Sequence, residues 1–178
     1  MKRSIFISIF ALSISAQAQN SIERAVIRKI NQFRIENCLD TAEYSAKLSK
    51  ASRHHAKWMS LSGILSHDET VEVKGLKRLE KPLDRMVEYG CWENEFKACN
   101  ENATFSIGMT TDEEVASQIF AGWKKSPPHR ANMLVKIFPG REKFVKQLIG
   151  IAVVKLPTVG PDPLNEWAAV LNMGMVIR

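Results

Sequence analysis

The chain has 178 residues, of which 45% are hydrophobic and 25% charged, and its formal net charge is +6. The charges are interspersed and no basic block stands out, which argues against a nucleic-acid partner. Beyond the first eighteen residues no apolar stretch is long enough for a membrane-spanning helix.

The first eighteen residues read as a leader rather than as fold. Lys2 and Arg3 precede the short apolar run "SIFISIFALSIS", and Ala16-Gln17-Ala18 offers small residues at a cleavage site. Residues 1–18 are therefore expected to be a signal peptide, leaving 19–178 as one exported domain, extracellular or periplasmic. Removal of Lys2 and Arg3 leaves 23 basic residues against 19 acidic, a mild excess that would attract anionic envelope surfaces only weakly.

The mature chain opens with Ile22, Val26, Ile30 and Phe33 at helical spacing, with Ser21 as the expected N-cap. A second helix is expected through Tyr44, Leu48, Ala51, His55, Trp58 and Met59, ended by Gly63. His55 falls on its apolar stripe and reads as a core histidine. The adjacent His54 falls on another face and reads as solvated. Residues 70–100 look irregular apart from a short helix near "PLDRMVEYG". A further helix fits "TTDEEVASQIFAGWKK", where Thr111 caps and three acidic residues follow at the positive helix end.

Two prolines then precede His129. They fix φ and remove donors, so Ser126 to Pro128 is expected to be a rigid loop, a corner that serves either to present one imidazole or to start a helix. Later, "KQLIGIAVVKL" and "EWAAVLNMGMVI" are short apolar runs on either side of the proline-rich "PTVGPDPLN", an antiparallel pair. Helices first and sheet last give an α+β class, with the helices packed on a small antiparallel sheet. Of the three cysteines, Cys91 and Cys99 are expected to form a disulfide across a short loop, and Cys38 to be a buried thiol.

His67, Glu101 and His129 are demanded by no apolar period and fall between predicted elements. Two imidazoles and a carboxylate suit a divalent cation with an open position. Their spacing forms no local ligand pattern, and three polar loop residues bonded to main chain would read the same way.

The ordered strings "HAKWMSLSGILSH", "PLDRMVEYGC", "ENATF", "GWKKSPPHRANML" and "IGIAVV" resemble the SCP or CAP domain. That superfamily includes the cysteine-rich secretory, antigen-five and plant pathogenesis-related proteins. The likeness is to its bacterial secreted branch, with W-x-x-S-P-x-H-R-x-N-(I/M)-L, and runs from Ile22 to Gly174. It implies an α-β-α sandwich with a cleft at one end. His67 and His129 match the family histidines, and Glu101 matches the glutamate of a G-E-N motif in which Asn100 replaces the glycine. Asn102 matches a structural, turn-forming asparagine. Ser126 stands where eukaryotic members carry a second cleft glutamate.

The resemblance implies a cleft in which His67 and His129 hold Zn²⁺ weakly and Glu101 orients a histidine. Its expected role is that of a non-enzymatic binding module for a small lipid, a peptide or a cell-envelope ligand. The competing reading is a metal-assisted hydrolase with Glu101 as base, for which no serine or cysteine nucleophile is visibly paired with a base. A purely structural envelope protein is the third.

Overall fold

The computed structural model describes residues 19–91, 96–136, 145–157 and 165–177. The expected leader at 1–18 and most of the proline-rich turn lie outside these. The elements in chain order are α1 (Ser21–Glu36), β1 (Glu43–Tyr44), α2 (Ala46–Ser62), α3 (Pro82–Glu88), β2 (Phe96–Ile107), α4 (Asp112–Lys125), α5 (Pro127–Met133), β3 (Val145–Lys155) and β4 (Glu166–Ile177).

Local chemistry sets the helix ends. The N-cap of α1 is Asn20 rather than Ser21, because Glu23 completes a reciprocal box with it: Asn20 Oδ1 accepts from the Glu23 amide at 2.8 Å, and Glu23 Oε2 from the Asn20 amide at 3.0 Å. Ser45 caps α2, and Gly63 ends it in the left-handed region at φ 70°. Tyr44 therefore lies outside the helix, exposed in β1. Thr111 caps α4 as expected. Contrary to the loop reading, Pro127 and Pro128 are the first residues of α5. The first turn of a helix has no intrahelical acceptors for its N–H groups, so the missing donors cost nothing there.

The sheet order is β1-β3-β4-β2. The expected β3–β4 pair is antiparallel, with Ile151 opposite Leu171. The sheet is not wholly antiparallel, since β1 runs parallel to β3. The largest departure is β2, a twelve-residue edge strand where irregular chain and a loop had been expected.

Strand alternation divides the core into two layers. Ile149, Ile151, Val153, Ala169, Leu171 and Met173 pack under α1, α4 and α5. Ala152, Ala168 and Val170 face the other way, under Trp58 and Met59 of α2, and α3 adds Met86 against Leu48 and Ala51. The result is an α-β-α sandwich, each buried aliphatic or aromatic side chain contributing about 1.5–3 kcal/mol. Among the described residues no helix is long and apolar enough to cross a membrane.

The expected Cys91–Cys99 disulfide is not formed. The two share one apolar cluster, where burial, and then the neighbouring Cys91, push the Cys99 thiol up to about 12. A thiol held protonated is a poor partner for disulfide exchange. Cys38 is exposed rather than buried, and sits at φ 57° just past α1.

The closest helix–sheet approach is at Gly150. A Cβ there would overlap the main chain of Leu48 and Ser49 on α2. Gly150→Ala is expected to lower unfolding free energy by about 1–3 kcal/mol or more, read from urea denaturation. An unchanged midpoint would show that α2 moves away from the sheet at little cost.

Candidate functional site

The site is built on the alternation of β2. Glu101 points toward the layer of α2 and α3, and Asn102 toward α5. Neither lies in a loop or turn: in β2 they pair with Asn172 and Leu171 of β4. Asn100 pairs with Met173 in the same ladder, and the only non-glycine residue at positive φ among those described is Cys38. The strand therefore needs no glycine at position 100.

Glu101 is the hinge of the first half. Arg85 Nη2 donates to both its oxygens, at 3.1 and 3.0 Å, and His67 Nδ1 lies 3.0 Å from Oε1. Arg85 is fully buried on α3 and also donates to the carbonyls of His67 at 2.8 Å and Leu79 at 3.0 Å. Its Nη1 is 3.6 Å from Glu69. Arg85 thus closes the chain between α2 and α3 over the core while neutralising two carboxylates.

Glu69 is equally buried. It accepts from the Leu79 amide at 2.8 Å, and its Oε1 lies 3.2 Å from His55 Nδ1. Burial alone would raise its pKa, but the neighbouring histidines and the Leu79 amide outweigh that and hold the carboxyl at about 2. His55 Nε2 is 2.7 Å from the Ser66 carbonyl. Both ring nitrogens of His55 therefore face pure acceptors, and both are satisfied only when both carry protons. The ring stacks on Trp58 with centroids 5.5 Å apart.

His54 is not solvated. It is buried, with Nδ1 3.0 Å from the Tyr89 hydroxyl and Nε2 3.5 Å from the second oxygen of Glu69, near it but without a hydrogen bond. Adjacent helical histidines reach one partner because a carboxylate has two oxygens.

The second half holds His129 by its main chain. Asn102 Nδ2 donates to the His129 carbonyl at 3.0 Å, and Asn132 Nδ2 donates to Asn102 Oδ1 at 2.8 Å and to the Glu101 carbonyl at 3.3 Å. Buried Arg34 fastens the far end of α5 through the Met133 carbonyl at 2.8 Å. Ser126 is the joint between α4 and α5, and its side chain caps neither helix.

The two rim histidines titrate in opposite directions. The hydrogen bond that His67 gives to Glu101 raises His67, against a smaller desolvation. Burial, and then the charge of His67, lowers His129. Charged His67 therefore favours the fold below the ordinary histidine range, and this contribution is lost as pH rises through its raised value. Protonation of His129 opposes the fold as pH falls. Among the described residues no three His, Cys, Asp or Glu side chains are grouped to hold a metal ion. With Glu101 committed to Arg85, the remaining donors at the rim are the two imidazoles.

Arg85, Glu69 and Asn132 were not singled out in the sequence. The strings "PLDRMVEYGC" and "HRANML" contain Arg85 and Asn132, but an ion pair sixteen residues apart leaves no local period.

A family model described as "Cysteine-rich secretory protein family", CAP, matches residues 27–136. Among solved structures, an outer surface protein of Borrelia burgdorferi aligns with a TM-score of 0.60 at 16% identity, covering 88% of this chain and 94% of that one. An extracellular protein of Bacillus anthracis containing an SCP domain aligns with a TM-score of 0.59 at 18% identity, covering 88% of this chain and 41% of that one. No curated protein matches. At these identities the two structures establish a common fold.

Two measurements probe the network. In urea unfolding, Arg85→Met is expected to cost about 3–5 kcal/mol, because it strands buried carboxylates; adding Glu101→Gln should restore part of the loss. A double variant no more stable than Arg85→Met would mean that the two residues are not coupled. In an NMR titration in chelating buffer, His67 should gain its proton at a higher pH than His129, and Glu101→Gln should move His67 down toward the ordinary value. Coincident titration of the rings would overturn this account.

Proposed function

The chain belongs to the cysteine-rich secretory protein family, and from that premise we propose that it is a non-enzymatic binding module acting outside the cytoplasm, with its ligand at the cleft between His67 and His129. The observation that carries this reading is the commitment of Glu101. Arg85 donates to both its oxygens, His67 lies against one of them and the side chain is only 4% exposed, so the carboxylate is held as an ion-pair partner within the fold. Ser126 makes no side-chain hydrogen bond with a base among the described residues. The outer-surface and extracellular descriptions of the two structural relatives, together with the expected leader, support a place at the cell exterior or in the periplasm.

The cleft's ligand is a small lipid, a peptide or an envelope component that contacts the two imidazoles. Zn²⁺ belongs to this reading as a weak, exchangeable ligand of the two imidazoles. Resident zinc sites use three or four protein ligands, so water would complete the shell, and the ion would supply a point of positive charge. The remaining groups act without it: Arg85 fixes Glu101, Glu101 orients His67, and Asn102 holds the main chain of His129 in place.

The test combines ligand capture with an activity screen. Protein recovered from its native medium is expected to carry an extractable small molecule by native mass spectrometry, at much lower occupancy in His67→Ala/His129→Ala. Peptide and ester substrates, with and without Zn²⁺, should turn over no faster than buffer. Turnover abolished by Glu101→Gln would replace this reading with a hydrolase. Ligand occupancy indifferent to both histidines would move binding elsewhere on the molecule.

A further inference from the structure

The two sides of the sheet are finished differently. Beyond the two residues that β1 covers, the outward main-chain groups of β3 are taken by side chains. Ser49 Oγ accepts from the Ile151 amide at 3.1 Å, and Glu23 Oε1 from the Val153 amide at 3.1 Å. Asn20 Nδ2 donates to the Val153 carbonyl at 3.3 Å, and Ser60 Oγ to the Lys155 carbonyl at 3.2 Å.

On β2 the same row is clamped at two points and open between them. In an antiparallel ladder, residues alternately turn their main-chain groups toward the partner strand and away from it. Asn132 Nδ2 reaches the Glu101 carbonyl at 3.3 Å. Gln118 accepts from the Ile107 amide at 3.0 Å and donates to its carbonyl at 3.3 Å, so the odd-numbered residues are the outward ones. Asn102, Thr104 and Ser106 pair with Leu171, Ala169 and Trp167. Between the clamps, the Phe105 carbonyl takes Thr104 Oγ1 at 3.1 Å. Outside the β4 ladder, no group among the described residues bonds the amides of Glu101, Ala103 and Phe105 or the carbonyl of Ala103. The row is accessible: Glu101 is 9% exposed as a residue but 4% in its side chain, so what it shows is mostly main chain.

An open row of this kind is a template for another strand, and it selects main chain over any ligand that lacks alternating donors and acceptors. The clamps at Glu101 and Ile107 stand about 20 Å apart, enough for about four or five residues of extended chain. We propose that β2 takes up an extended peptide as a fifth strand of the sheet, paired through Ala103 and flanked by the amides of Glu101 and Phe105. Side chains of the added strand alternate with those of β2. A residue beside Glu101 meets the half-exposed His67 ring, and an apolar one beside Phe105 covers the half-exposed Ile107. This names the ligand at the His67 rim as a peptide and rests on the binding-module reading for that alone; the strand pairing itself needs neither imidazole.

The experiment selects a random heptapeptide phage library on the whole chain from residue 19, then follows amide hydrogen exchange by NMR with the selected synthetic peptide. In the free chain, the amides of Glu101, Ala103 and Phe105 should exchange at least about tenfold faster than those of Asn102 and Thr104. Bound peptide should slow the first three by about tenfold or more. N-methylation of alternate peptide amides should raise the Kd by about tenfold or more, and of the intervening amides much less. Ala103→Pro removes an outward N–H that the ladder does not use, so it should fold, by circular dichroism, and bind at least about tenfold more weakly. Should that variant not fold, the exchange pattern of the parent decides alone. The proposal is overturned if the library yields no binder, if bound peptide leaves the three amides exchanging as before, or if N-methylation is tolerated at every position. A His67→Ala/His129→Ala variant that keeps its native ligand, while peptide still protects Ala103, would overturn the cleft reading and support strand addition.

Discussion

A guanidinium buried to the last atom has to be matched charge for charge, and the matching of Arg85 shapes most of what surrounds it. Two carboxylates approach it from different elements, Glu69 from the segment after α2 and Glu101 from β2. Two more of its hydrogen bonds hold main-chain carbonyls at His67 and Leu79, while its Nε finds no acceptor among the described residues. One cation therefore fixes the path of the chain between α2 and α3, and through it the height of His67 above the sheet edge. Desolvating these groups is expensive, and the hydrogen bonds each carboxylate accepts within the cluster offset that cost. The polar cluster is thus both a structural seam and the foundation of the cleft.

The two rim histidines are held by different means. His67 is gripped twice, by its carbonyl on Arg85 and by its ring on Glu101. His129 is gripped only through its carbonyl, by Asn102, while Arg34 and Asn132 steady α5 beneath it. Among the described residues its ring has no hydrogen-bonded partner. One imidazole is therefore oriented and the other is placed but able to turn. This asymmetry follows from β2 being an edge strand whose alternate side chains serve opposite layers. Glu101 looks into the layer that contains charge. Asn102 looks into the layer of α1, α4 and α5, where its amide fastens the His129 backbone but supplies no ionic partner.

Much of this architecture was legible in the sequence. The 3.6-residue stripes of α1, α2 and α4, the left-handed stop at Gly63 and the apolar runs of β3 and β4 are local signals, each complete within a short window. The motif strings located His67, Glu101 and His129, although composition and spacing alone left them as unconnected polar residues. What escaped was non-local. β2 carries "NEN" at its centre, where a buried guanidinium sixteen residues away makes an acid acceptable inside a sheet. His54 reads as a solvated position until Glu69 arrives beneath the helix with a second oxygen. Pro127 and Pro128 signal a break in one helix and the start of another with equal force, and the packing of α5 on β2 decides between them.

With Glu101 turned inward at 4% exposure, the half-exposed His67 ring is what this side of β2 presents to solvent. The chemistry offered to a ligand then depends on protons more than on fixed charge. Protonated His67 presents a cation at the rim, neutral His67 presents a ring nitrogen, and the charge on one ring discourages a second proton on the other. Under the proposed reading, a ligand contacting these two rings would bring oxygen acceptors at lower pH, and a cation would be tolerated only with both rings neutral. The Arg85 pair that fixes Glu101 also fixes His67, so a variant that loosens one would loosen the other.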